Sequence, residues 1–377
     1  MGLMHRVARA RLAGRVIRRL RRVGVSDAGY DAATFSVRFT PVTRGAPVTR
    51  GDPVTRGDPV VLHLDSLLAE LRSGGRHRRA RIARFVDGFV PAPDLPHTWE
   101  EICPRLRPVL RGITPVAGGP AVDAPLRRPA LPFLGEFVVV DQPDTMTYVV
   151  DGHLAQWGVD AGDVFASART NLSVTVRQPA SGVPVVLRFL DDGDAYWTSH
   201  LLLDGWLAGL SGPVGGVPVA FAPERGTLLV TADGTDHVPA LFALAEETYA
   251  ASPRAISPMA YVSGPDGRTV PYAAPPGHPL HRAVRRAEAL LAVHEYAHQA
   301  RLPDGDGIPL APLVLAGSAE RGWHTRAVWD RDAAVLLPSA DEVQAGATVL
   351  PWSALSGHLT QAPGLTPPRW HARNWPA

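Results

Sequence analysis

Segments of period two and segments of period near 3.6 follow one another along this chain in no fixed order, and that irregularity narrows its fold more than any other feature. A doubly wound sheet needs strands and helices in strict alternation. Here an amphipathic helix over residues 3–23 precedes two strands, 34–40 and 59–64, and then helices over 65–72 and 76–90. Strands follow at 133–141 and 146–150, then two short helices with Asp151 and Asp160 as N-caps. A strand at 183–190 leads to a helix over 201–210, strands at 217–221 and 227–231, a helix over 238–251 and a hairpin turning at 265–267. A long helix over 279–302 is followed by strands at 309–315, 324–329 and 334–337. The class this order implies is α+β, with mixed or antiparallel sheets and packed helices.

Residues 41–60, PVTRGAPVTRGDPVTRGDPV, repeat one hexapeptide three times. Six residues are far fewer than a solenoid unit needs, and each unit carries a Pro and a Gly that punctuate turns. The repeat reads as a long exposed loop of an expanded hairpin. Its Arg50-Gly51-Asp52 and Arg56-Gly57-Asp58 triplets come with the repeat and need no separate function.

Charge divides the chain. Residues 1–128 hold 23 Arg against 11 acids, and residues 129–377 hold 15 Arg against 25 acids. The expected organisation is two lobes, a basic N-terminal one (1–128) and an acidic main domain (129–355), with a Pro-rich, irregular tail (356–377). A basic lobe can bind an anion, nucleic acid or an anionic surface. It can equally attract the acidic domain, and no helix-turn-helix or RNP-like pattern accompanies it.

All 38 basic residues are Arg. Without lysine, a Walker A phosphate loop, a protein-kinase strand lysine and Schiff-base chemistry have no amine to use. No apolar run reaches the ~20 residues of a membrane span, and the Arg-rich N-terminus has no apolar signal core. Cys103 is the single cysteine, so no intrachain disulfide forms and the expected compartment is cytoplasmic. The acidic turn Asp191-Asp192-Gly193-Asp194 lacks EF-hand ordering and reads as a solvated turn.

One string carries sharper chemistry. His294-Glu295-Tyr296-Ala297-His298 spells H-E-x-x-H, in which two histidines one turn apart hold zinc and the glutamate acts as general base. On the 279–302 helix Leu280, Ala287, Leu291, His294, His298 and Leu302 share an apolar arc, so both histidines are expected to face the core. A third ligand could be Asp304 or Glu320. Arg301 stands where a compact site of this kind places the glycine that turns the chain back, and Glu320 lies in a loop-like SAERGW stretch. Two readings follow: a zinc-dependent hydrolase, or a pair of histidines packed and hydrogen-bonded on a helix.

The stretches 132–172 (PFLGEFVVVDQPDTMTYVVDGHLAQWGVDAGDVFASARTNL), LFALAEETYAASPRAISPMAY (241–261) and EYAHQ (295–299) resemble the YtpQ-like family, bacterial proteins of unknown function. An early helix followed by YDAATFSVRF and VVLHLDSLLAEL also fits. The resemblance spans most of the chain apart from the repeat and the tail. It implies an intracellular α+β protein and no catalytic residues, and the leading expectation is a binding or interaction module. It runs through Glu295, Tyr296, Ala297 and Gln299 rather than through the two histidines.

Overall fold

The computed structural model describes residues 3–22, 25, 27–32, 34–40, 60–64, 67–68, 71, 78–87, 95–114, 124–142, 146–174, 186–190, 196–300, 308–330 and 334–373. They form an α+β structure of several separate sheets. No described helix is long and apolar enough to cross a membrane.

The first unit holds α1 (Leu3–Arg22), β1 (Gly29–Asp31), β2 (Ser36–Phe39), β3 (Val60–His63) and α2 (Arg78–Asp87). Leu12, Val16 and Leu20 recur at spacings of four on α1 and are buried against Phe35, Val37, Phe39 and Leu62, with Ile82 and Val86 of α2 in the same core. Arg11, Arg15, Arg18 and Arg22 stay exposed on the opposite face of α1. β2 and β3 pair antiparallel, Phe39 opposite Val60, so the hexapeptide repeat connects a hairpin. Residues 41–59 of the repeat lie outside the described residues.

β4 (Leu106–Gly112), β5 (Arg127–Leu131), β6 (Leu134–Asp141) and β7 (Met146–Tyr148) make the second sheet, with β4, β5 and β7 all pairing on β6. The charge reversal near residue 128 falls at β5, within this sheet. β4 contains Pro108, which hides it from propensity reasoning. Its one described neighbour is β6, and an edge strand tolerates a residue without an N–H. α3 (Asp151–Trp157) and α4 (Ala161–Val174) supply Trp157, Val164, Phe165 and Ala168 to this sheet's core. Asp160 caps α4 by accepting the Asp163 N–H at 2.9 Å. Asp151 is instead the first residue of α3, and Val150 takes the cap position.

β8 (Val186–Leu190), β9 (Pro218–Glu224), β10 (Thr227–Ala232), β11 (Ala260–Ser263) and β12 (Thr269–Pro271) form an antiparallel sheet in the order β12-β11-β9-β10-β8. The helix expected over 201–210 is replaced by 3-10 turns at Trp197–Leu202 and Ala208–Leu210. The acidic turn 191–194 lies outside the described residues. α5 (His237–Ala251) and α6 (His281–Gln299) cover this sheet's core.

The C-terminal region is strand-rich. β13 (Leu313–Ser318), β14 (Gly322–Val328), β16 (Glu342–Ala345) and β17 (Thr348–Pro351) form one sheet, in which β14 and β16 run parallel. β15 (Val335–Pro338), β18 (Thr360–Gln361) and β19 (Arg369–Ala372) form another. The stretch expected to be an irregular tail therefore contains two paired strands, β18 and β19. Arg369 of β19 is fully buried and donates to the Ala311 and Leu336 carbonyls at 2.8 and 2.9 Å. Burial pulls its pKa down to about 10. α6 lies between two cores: Val284, Ala287 and Leu291 pack toward the five-stranded sheet, and Ala292 and Tyr296 toward the C-terminal strands.

Candidate functional site

The H-E-x-x-H string occupies the last turns of α6. Its two histidine rings touch edge-on, with centroids 4.3 Å apart, and both are only half-buried. The expectation that they face the core is corrected. Because α6 is covered from two sides, its buried arc runs through Leu291, Glu295 and Gln299 on one edge and Ala292 and Tyr296 on the other. The histidines fall on the flank of that arc, beside α5. There the Tyr249 hydroxyl makes a short hydrogen bond with His294 Nδ1. Burial first, and the nearby Glu295 charge second, push the Tyr249 phenol pKa up, so the group stays a neutral hydroxyl.

Glu295 is buried among different partners. Its Oε2 accepts the Thr114 hydroxyl at 2.6 Å and the Thr114 backbone N–H at 3.2 Å. Its Oε1 lies 2.5 Å from where a Cβ on Gly112 would sit, so a larger residue at the end of β4 would require the carboxylate to shift. Burial raises the carboxyl pKa, and the two bonds from Thr114 partly oppose that rise. Tyr296 and Gln299 also hold chain together. The Tyr296 hydroxyl donates to the Pro368 carbonyl at 2.9 Å, and the Gln299 amide donates to the Pro367 carbonyl at 2.6 Å.

Of the two third ligands expected from the sequence, only Glu320 is among the described residues. Glu320 is exposed in the turn between β13 and β14, and Asp304 lies outside the described residues. Among the described residues no group of three or more His, Cys, Asp or Glu is placed to hold a metal.

A second constellation was not visible in the sequence. Arg111 on β4, Arg225 in the β9–β10 turn and Arg254 after α5 line one cavity of about 130 Å³ with Tyr196, Thr198 and Ser199. The backbone fixes two of them as neighbours, because the Arg225 N–H donates to the Arg254 carbonyl at 3.0 Å. Arg111 is 8% exposed, and its guanidinium lies beside the Tyr148 hydroxyl. Its Nη1 donates to the Leu110 carbonyl at 2.7 Å, while its Nε and that of Arg225 are buried without a hydrogen-bond partner. Among the described residues no carboxylate pairs with any of the three. Burial lowers the Arg111 pKa. Burial and then the adjacent Arg111 charge bring Arg225 down to about 9.

No family model, curated protein or solved structure matches this chain. Its own geometry therefore decides between sites. A larger cleft of about 300 Å³ opens between α6 and the C-terminal strands, but its charged residues satisfy one another. Arg285 donates to Glu288 and to Asp341 at 2.7 Å each. The arginine cavity differs in holding positive charge that no carboxylate among the described residues neutralises. The signal that could have found it is weak: three arginines among 38, on three elements far apart in sequence.

Proposed function

We propose that this chain is a cytoplasmic binding protein, in keeping with its resemblance to the YtpQ-like family, and that its ligand is anionic. The observation that carries this reading is the convergence of Arg111, Arg225 and Arg254 on one cavity with no carboxylate among its described lining residues. Desolvating a charge costs several kcal/mol unless a counter-charge offsets it. A protein that keeps such an arrangement gains that counter-charge when an anion enters, and strongly perturbed groups in a cleft mark functional sites. Arginine suits the task, since its planar fork binds oxyanions in pairs of parallel bonds.

The contact between the His294 and His298 rings keeps one alternative in view, a zinc-dependent hydrolase with Glu295 as base. Against it stand the engagement of His294 Nδ1 by Tyr249 and of Glu295 by Thr114. A general base needs its carboxylate within reach of a metal-bound water, and this one is fixed to the end of β4. Metal analysis of the purified protein separates the two readings. The expected zinc content is well below one atom per chain and is the same in His294→Ala. One zinc per chain, lost in that variant, would establish the hydrolase site instead.

A further inference from the structure

We infer that the anion taken by the arginine cavity is a phosphoryl group, either free phosphate or the terminal group of a phosphate monoester. This rests on the anion-binding reading above and goes further by naming the ligand chemistry. Three guanidinium groups approach the cavity from three separate elements: a strand, a hairpin turn and the segment after a helix. A single carboxylate is flat and carries one charge, so it pairs with one fork and leaves the others unmet. A phosphoryl group carries nearly two charges at neutral pH and presents three acceptor oxygens in different directions, which matches three donors arriving from different sides.

The remaining wall supports the same chemistry. Ser199 Oγ accepts the Leu110 N–H at 3.3 Å, which leaves its own proton to donate. Tyr196 donates to Asp141 at 2.8 Å, so that aspartate is already engaged. At about 130 Å³ the cavity has space for a phosphoryl group and little more, far below the ~300 Å³ at which pockets begin to enclose drug-sized ligands. Arg111 lies buried at the back, whereas Arg254 is exposed. An ester would therefore bind phosphate first, with the rest of the molecule passing out beside Arg254.

Calorimetric titration of the full chain tests this with four probes: inorganic phosphate, glycerol 3-phosphate, acetate and succinate. The expected result is saturable binding of at least one phosphorylated probe, at least about tenfold tighter than either carboxylate. A preference for inorganic phosphate identifies the free ion, and a preference for glycerol 3-phosphate identifies an ester. Arg254→Gln, at an exposed position that leaves folding intact, is expected to weaken that binding about tenfold or more. Tighter binding of succinate or acetate would overturn the phosphoryl assignment while leaving the anion reading intact. Absence of binding by all four probes, or phosphate binding unchanged in Arg254→Gln, would overturn the site itself.

Discussion

Arg111→Met is expected to abolish anion binding and at the same time to raise the stability of the ligand-free protein. The two effects have one cause. The Arg111 side chain is almost wholly removed from water, its Nε is unpartnered, and a second buried guanidinium, Arg225, repels it. Methionine fills similar space without a charge. Losing the Nη1 bond to Leu110 costs about 1 kcal/mol, and relieving the buried charge returns roughly 1–4 kcal/mol. The net gain is on the order of 1–2 kcal/mol, readable as a rise in the denaturant midpoint at unchanged slope. Residues retained for ligand contact at the expense of stability behave in this way. A fall in the midpoint of similar size would mean that Arg111 is already neutralised within the fold.

Glu295→Ala is expected to destabilise by about 3 kcal/mol, the largest single loss among these variants. It strips the buried Thr114 N–H and hydroxyl of their acceptor and leaves a cavity against Gly112. Glu295→Gln keeps an acceptor oxygen and removes the charge, so it is expected to fold normally. The two variants also separate by pH. The Glu295 pKa is raised in the folded state, so its favourable contribution is complete below the unfolded value near 4.5 and is lost as pH rises through the folded value. Wild-type stability should therefore fall relative to Glu295→Gln from acidic to neutral pH, measured by urea unfolding at both ends. A constant difference between them across that range would contradict the assignment of a buried, raised carboxyl.

Glu295 also bears on the arginine cavity without lining it. Consecutive strand residues point to opposite faces, so Gly112 receives the Glu295 carboxylate while Arg111 faces the cavity. The glutamate of the H-E-x-x-H string is thus a positioning residue for the strand end that carries Arg111. This gives the string a physical use that needs no metal ligand.

Much of the fold was legible because hydrophobic period reports which face is buried. Val16 and Leu20 on α1, and Phe35, Val37 and Phe39 around β2, all lie in the core that their spacing predicts. The long α6 was legible as a helix but not in its orientation. A single apolar arc assumes one covering layer, and α6 has two, which moves the histidines to the flank and brings Glu295, Tyr296 and Gln299 inside. Such buried polar residues look like surface in a pattern of apolar letters. β4 was hidden by Pro108, and β19 by the prolines that precede Arg369. The arginine cavity was beyond reach for a different reason. Nothing local distinguishes Arg111, Arg225 and Arg254 from the other arginines, and only the tertiary arrangement brings them to one cavity.

A crystal structure of the protein grown with inorganic phosphate tests the central claim most directly. The account predicts one phosphate in the cavity within about 3 Å of the Arg111 and Arg225 guanidinium groups, consistent with charge-assisted bonds. An empty cavity, with these arginines turned onto carboxylates of the same chain, would contradict it.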